Sequence, residues 1–563
     1  MQYTETQIEE FWQQHERFLK TSLVTETPHP DTSNLSELCR TDLPQAFAIF
    51  KQVELDAIHH LLQYTTEIQQ VQQDIATALN AHNKVFLLGC GASGRVAMLL
   101  KRLWETYNSN RDKQVICVAA GGDVSLIKSV EEFEDQAEFG ITQLIAQGYT
   151  NNDLVIGLSA SGESPFILAG IEYASKTSQY TPYLICNNPI ASILERNPQH
   201  ILNDGLNVIG ISLDVGPMAL TGSTRLQATT AMQIVVGLAL LSNDTDIAAQ
   251  IKQIYHSIEL VPLEALVPIT QAEADILAKN EYVLYDTDNA LLGLSLLADI
   301  TERSPTFNLT PFENNTDKKA VIPANNCCSK TVSSMDSGLR RNDNITQYSP
   351  FYLRLSTAAN IAEVWQSLFG QQPFCLNWES HPATTTQYMN GFDLSATSAR
   401  VSGKYLPAPQ HVEFWKIKGH TLHVILNNCL GEQNCHPGGT RVCDPESTTY
   451  PTCTIPLLQD LLQQTLVYKL CLNSHSTIMM GRLGYFEGNL MLSLKPSNFK
   501  LIDRAIRYSQ FILVSKYDLQ IDYKTIAAEA FKQIALLQAN QSIVNNIIAA
   551  TLAQRACVVK FIT

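Results

Sequence analysis

The sequence is short of charge, and shorter still of positive charge. Lys, Arg, Asp and Glu make up 17% of its 563 residues, and 39 basic residues face 54 acidic ones, a formal net charge of −15 at pH 7. No long basic run breaks this balance. Recognition of nucleic acid or of an anionic membrane surface is therefore excluded as a main function. The chain also lacks an apolar stretch of the roughly 18–20 residues that a membrane helix needs. Its opening run, MQYTETQIEEFWQQ, has no basic segment followed by an apolar one, so no secretory signal is read there.

Metal-type cysteine pairs are missing too. The 13 cysteines are an odd number. Cys429, Cys435, Cys443 and Cys453 lie near His436, but their spacing is not the tight C-x₂-C pairing of a zinc site, so no metal is expected. Cys117 and Cys186 sit inside apolar runs, as small buried hydrophobes of a reducing compartment do. A cytoplasmic location is the expectation.

What the sequence does have is 45% hydrophobic residues, enough for about three to five packed units at this length. Short apolar runs alternate with helical periodicity: strands at 84–89, 115–120, 153–158, 183–186 and 208–213, with helices at 55–80, 94–107, 123–146, 165–175 and 224–242. This pattern predicts an α/β fold with a parallel sheet. The second half repeats it in worn form, with strands at 281–286, 352–355, 411–415 and 420–426 and helices at 291–302, 457–472 and 474–483. We read a polar, extended N-terminal arm leading into helices over 1–50, a first α/β domain over 51–248, a second over 249–515, and a helical cap over 516–563. Two aperiodic runs, about 318–345 and 427–453, read as loop inserts.

Three loops carry candidate chemistry. GCGASGR at 89–95 follows a strand and opens a helix, so Gly89, Gly91 and Gly94 let the backbone turn tightly and offer free N–H groups to an anion, with Ala92 between them and Ser93 adding a hydroxyl. The glycine spacing also fits a dinucleotide fingerprint, but the acidic ribose partner expected about 20 residues on is absent. SASGESP at 159–165 is a second strand-to-helix loop, with Ser159, Ser161, Gly162 and Ser164 forming a cradle and Pro165 in the first helical turn. TGSTR at 221–225 is the third, with Thr221 and Ser223. Ser and Thr at a helix start are ordinary caps. Three such sets at the carboxyl ends of strands, where open α/β sheets bind ligands, point to a phosphate on a polyol. Two acidic features stand beside them. Glu131, Glu132, Glu134 and Asp135 read as a helix face, and Glu302 as a carboxylate closing a helix, ill placed for its dipole.

Together these motifs resemble the sugar isomerase (SIS) family. TETPHPDT at 25–32, GCGASGR at 89–95, SVEEFED at 129–135, SASGESP at 159–165 and TGSTRLQATTA at 221–231 follow in order the pattern of the N-acetylmuramic acid 6-phosphate etherases. In the second half, GLSLLADITE at 293–302 and the run at 481–500 are similar to later segments of that family. Two such domains and a helical cap resemble the layout of glucokinase regulatory protein-like tandem SIS proteins. The resemblance implies two tandem SIS domains of flavodoxin-like topology, a sugar phosphate ligand and no cofactor. It implies Glu134 as base and Glu302 as acid of one composite site, with Arg482 as a nearby cation. It also implies a monomeric pseudo-dimer, with a sugar kinase as candidate partner.

The departures divide the sites. Leu103 stands where the family acid would fall in the first half, and DTDNALL at 286–292 replaces the glycine cradle in the second, so one site is expected to survive. Ala92 replaces a usual threonine and Gln227 a usual lysine. These departures favour a sugar-phosphate-responsive regulator of carbohydrate metabolism. The retained glutamate pair favours the alternative, an etherase releasing D-lactate.

Overall fold

The computed structural model describes residues 4–20, 23–127, 129, 133–309, 350–358, 361–371, 401–402, 411–428, 451–496, 498–538 and 541–562. The first insert and most of the second lie outside these, as do Glu131 and Glu132. Among the described residues, no helix is long and apolar enough to cross a membrane.

The first half builds a five-stranded parallel sheet from β1 (Val85–Gly89), β2 (Val115–Ala119), β3 (Leu154–Leu158), β4 (Tyr183–Cys186) and β5 (Ile209–Ser212), in the order β2-β1-β3-β4-β5. The continuous apolar runs VFLLG and LVIGL are buried along their whole length, as strands covered by helices on both faces must be. β1 pairs Val85 with Val115 on one side and with Leu154 on the other. The strand order reverses between β1 and β3, and such a reversal opens a crevice beyond the carboxyl ends of the strands.

The second half holds a six-stranded sheet, β11-β10-β9-β6-β7-β8, from β6 (Val283–Thr287), β7 (Phe351–Leu355), β8 (Val401–Ser402), β9 (His411–Lys418), β10 (Thr421–Asn428) and β11 (Thr452–Pro456). Its β7-β6-β9 centre is parallel and repeats the β2-β1-β3 arrangement of the first sheet. It then departs from the expected all-parallel plan. β9 turns at Gly419, φ +59°, directly into antiparallel β10, and β11 pairs antiparallel beyond it. A glycine in the left-handed region permits so short a turn. A hairpin needs no crossover helix, so no strand-to-helix loop follows β9.

The halves share one continuous apolar core, running from Leu87 through Leu100 and Leu297 to Leu466. The two stretches read as separate helices over 457–483 form one helix, Leu461–Arg482. The C-terminal region is helical, as Tyr523–Leu536 and Ile543–Ile562 follow Phe499–Tyr517. The N-terminal arm is not extended at its start. Glu5–Lys20 is a helix whose Phe11 packs edge-on against Phe499 and Phe531, 5.8 and 5.1 Å between ring centroids. Aromatic burial thus ties the first helix to the last ones.

Two helix readings also change. The stretch 123–146 is not one helix: a 3₁₀ turn at Asp123–Leu126 and a turn around Glu134 precede the helix Ala137–Ala146. Tertiary bonds hold that turn, as the Glu134 carbonyl accepts the Phe166 N–H at 3.1 Å and Phe133 is fully buried. Glu302 does not close its helix, since Ala290–Phe307 runs on through Pro305 in its final turn.

Candidate functional site

A cavity of about 930 Å³, counting its open mouth, lies beyond β1 and β3 and is walled by all three loops. The first wall depends on glycine. A Cβ on Gly89 would stand 2.6 Å from the Gly94 nitrogen, and Gly91 has φ +51°. Gly89 and Gly94 therefore allow close backbone approach, while Gly91, Ala92 and Ser93 face the cavity. Ser93 also braces the sheet. Its hydroxyl lies 2.6 Å from the Leu158 carbonyl of β3 and accepts the Cys90 N–H at 3.1 Å.

The second wall brings Ser159, Ser161 and Ser164 to the cavity. Ser159 Oγ accepts the Gly162 N–H at 3.1 Å and Ser161 Oγ accepts the Glu163 N–H at 3.2 Å, which fixes the loop's curvature. Gly162 has φ +76° and lies behind the wall. Ser164 meets Cys90 Sγ at 3.3 Å, joining the two loops. The third wall contributes Gly222, Ser223, Thr224 and Arg225. Among the described residues, the buried Ser223 hydroxyl has no hydrogen-bond partner. A buried hydroxyl left unpaired is costly, and a ligand oxygen would satisfy it. Thr221 is structural: its N–H and hydroxyl bond Asn489 at 2.9 and 3.2 Å.

Both candidate carboxylates line this one cavity, Glu134 from the first half and Glu302 from the second. Glu302 forms an ion pair with Arg95, whose side chain is buried. Glu134 accepts from Lys500 Nζ at 3.0 and 3.2 Å. Burial alone would lower the Lys500 pKa, but Glu134 beside it more than offsets this, and the ammonium is held above its ordinary range. A second cation, Arg504, is bidentate to Glu26 at 2.8 and 2.6 Å, and both line the cavity.

Arg482 is not the cavity's cation. It ends the helix Leu461–Arg482, where a positive charge suits the dipole, and its guanidinium is 3.7 Å from Asp275. Lys500 and Arg504 take that place. Lys500 ends the glycine-bearing run at 481–500 that signalled a basic residue and Arg504 follows it, but only the fold-back of the Phe499–Tyr517 helix shows which residues arrive. Glu26 was likewise inside the quoted TETPHPDT run without being singled out.

Gln227 is also structural. It donates to buried Glu54 at 2.9 Å and accepts the Ala219 N–H at 2.8 Å. Lys469 of the second half reaches under the same loop, donating to the Arg225 and Leu226 carbonyls at 2.8 and 3.1 Å. Burial pushes its pKa down to about 8, against the pull of Glu54.

Three comparisons with known proteins bear on this arrangement. A family model described as the glucokinase regulatory protein N-terminal SIS domain matches residues 67–175. The chain is 34% identical over 219 residues to an N-acetylmuramic acid 6-phosphate etherase of Enterobacter sp. (strain 638), covering 38% of this chain and 68% of that protein. It is 28% identical over 243 residues to the protein of that name from Klebsiella aerogenes, covering 43% and 75%. Among solved structures, a putative tagatose-6-phosphate ketose/aldose isomerase from Clostridium novyi NT aligns at 14% identity with a TM-score of 0.33, over 51% of this chain and 65% of that one, just under two thirds.

Proposed function

This chain belongs to the SIS-domain family that includes the N-acetylmuramic acid 6-phosphate etherases, and from that premise we propose that it binds a hexose 6-phosphate-type ligand and acts as a sensor or regulator of carbohydrate metabolism. The observation that carries the reading is the meeting of three strand-to-helix loops with Lys500 and Arg504 on one cavity. Loop N–H groups and two cations suit a phosphate, while serine hydroxyls and carboxylates suit the sugar hydroxyls. Both cations are already neutralised, by Glu134 and Glu26. A bound phosphate would compete for them and so bear on the N-terminal arm and the Phe499–Tyr517 helix together. A ligand that favours one arrangement of these parts would alter the surface offered to a partner such as a sugar kinase.

One observation favours the second reading, an etherase: Glu134 and Glu302 share the cavity. Ether cleavage by proton abstraction and assisted departure needs one base and one acid facing one substrate. Glu134 would take the proton and Glu302 would deliver one. Glu302 is paired as a carboxylate with Arg95, and delivering a proton from it requires that pair to open. Incubation with N-acetylmuramic acid 6-phosphate, with D-lactate as the readout, separates the readings. The regulator reading expects sugar-phosphate binding by calorimetry and no lactate. Lactate release lost in both Glu134→Gln and Glu302→Gln would establish the etherase instead.

A further inference from the structure

One helix of the second half holds the end of the third loop. Lys469, Asn473, Ser476 and Thr477 lie on one face of the Leu461–Arg482 helix, at the i, i+4, i+7 and i+8 spacing that brings side chains together. All four reach Arg225. Asn473 Nδ2 donates to its carbonyl at 3.0 Å, while the Ser476 and Thr477 hydroxyls accept from its guanidinium at 3.2 and 2.8 Å. Lys469 Nζ donates to the Arg225 and Leu226 carbonyls and, at 2.9 Å, to the Thr230 hydroxyl. An ammonium has three donors, so Lys469 has none left for a ligand. It lines a space beside the phosphate cavity and not the cavity itself. Yet the segment it grips follows directly on Ser223, which lines the cavity and whose buried hydroxyl has no partner among the described residues.

We propose that Lys469 is a positioning residue for sugar-phosphate binding: from the second half it fixes the end of the 221–225 loop, and so the aim of the Ser223 hydroxyl at the phosphate, without touching the ligand. The proposal rests on the sugar-phosphate reading above and makes a first-half loop depend on a second-half charge. That ammonium sits among charges from several elements. Glu54 comes from the Leu43–His60 helix, Arg225 from the loop, and Asp299 and Glu302 from the Ala290–Phe307 helix, while Arg95 of the Gly91–Tyr107 helix lines the same space. Burial lowers the Lys469 pKa to about 8; the three acids pull against it and Arg225 adds to it. The cavity's own groups do not titrate near there. Lys500 is held above its ordinary range, burial pushes the Cys90 thiol well up, and arginine stays charged. A sugar phosphate is largely dianionic above about pH 7, since its second pKa is about 6. As pH climbs past about 8, Lys469 becomes an amine with two donors for three acceptors, and the loop loses an anchor.

Calorimetric titration of the full chain with glucose 6-phosphate and with N-acetylmuramic acid 6-phosphate, from about pH 7 to about pH 9.5, tests this. Wild-type affinity is expected to fall by about threefold or more across that range, the worth of one lost hydrogen bond. Lys469→Arg, which stays charged, should flatten the profile, and this separates Lys469 from Glu54, whose carboxyl burial raises. Lys469→Met should bind about tenfold more weakly at pH 7, as loss of a charged donor implies, and show no fall with pH. Thr230→Val removes one of the three acceptors; it should move the fall to lower pH and serves if the Lys469 variants do not fold. A lysine that only supports the fold would lower the melting temperature of Lys469→Met and leave the pH profile as in the wild type. That outcome, or a flat wild-type profile, overturns the role of Lys469 and leaves the sugar-phosphate reading standing. Failure of both ligands to bind at any pH overturns both.

Discussion

Arg95 and Glu302, 207 positions apart in sequence, meet as an ion pair across the junction of the two halves. Arg95 sits one position beyond the glycine cradle and is 4% exposed, whereas Glu302 reaches the cavity. The pair joins the Gly91–Tyr107 helix of one half to the Ala290–Phe307 helix of the other.

Removing one partner strands the other charge. Arg95→Ala is expected to lower unfolding free energy, by less than the about 3–5 kcal/mol of a fully buried pair because the Glu302 left behind reaches the cavity. Arg95→Ala combined with Glu302→Gln should recover part of that loss. Urea denaturation of the four species of the cycle measures the coupling, and a coupling near zero would remove the pair from the account of how the halves are joined.

Charge in the loop should exclude the ligand. Ser161→Asp puts a carboxylate on the cavity wall against the incoming phosphate. It is expected to weaken sugar-phosphate binding by about 100-fold or more, while the melting temperature moves by only a few degrees. Unchanged affinity in calorimetry would mean that the phosphate does not sit in this cradle.

The two basic candidates give opposite expectations. Lys500→Ala removes a cation from the cavity and should weaken phosphate binding by roughly tenfold or more, in line with charge-assisted bonds. Arg482→Ala, on a helix end facing Asp275, should leave affinity within about twofold. The reverse order of effects would place the phosphate elsewhere.

A buried cluster in the second half sets a pH dependence. His475 bonds Glu273 at 2.6 Å, Trp415 donates to Glu413 at 2.7 Å, and Arg303 reaches Tyr285 at 2.8 Å. Burial raises the Glu413 carboxyl well above its ordinary range, with the Glu273 charge adding to it. Glu273 moves the other way, to about 2: burial opposes ionisation, but His475 and then Arg303 outweigh it. A raised carboxyl binds its proton more tightly in the folded state, so its share of stability is full below the ordinary carboxylate range and is lost as pH climbs toward the folded value. The lowered Glu273 gives stability above about 4.5 that is lost as pH falls toward 2. Glu413→Gln, which imitates the protonated acid, should therefore cost little and flatten the fall of stability with rising pH. Glu273→Gln should cost about 3–5 kcal/mol by taking from His475 the carboxylate it bonds at 2.6 Å, while Arg303 keeps Asp299 at 2.8 Å. Chemical denaturation from pH 5 to 9 checks both, and equal losses in the two variants would contradict the assignment.

The first sheet was legible because each of its strands is a short apolar run ended by glycine or a polar turn, as Val85–Gly89 and Leu154–Leu158 show. The loops were legible through their recurrence: one set of Gly, Ser or Thr at a helix start is an ordinary cap, but three at strand ends are not explained by capping alone. The turn at Glu134 was not, because an acidic run with helical spacing looks the same whether or not Phe166 captures its backbone. Arg482 was singled out for its place after a glycine, a local feature, whereas the arrival of Lys500 at the cavity depends on how the late helix folds back. The hairpin at Gly419 escaped notice too. Its two strands look like any pair of parallel strands until the two-residue gap between Lys418 and Thr421 is recognised as too short for a crossover.

That hairpin also decides how many ligands one chain holds. A symmetric pair of α/β units would carry two equivalent sites, and two sites can communicate, giving sigmoidal or half-saturated binding. Here β9 has no loop to complete a second cradle, and the corresponding sheet end is occupied by Asp286 paired with Arg354 and Lys416. On the proposed one-site reading, the chain is expected to bind one ligand with a hyperbolic isotherm. On that reading, switch-like behaviour would have to arise from competition between partners or from the numbers of molecules present, since the described residues offer no second cradle within the chain.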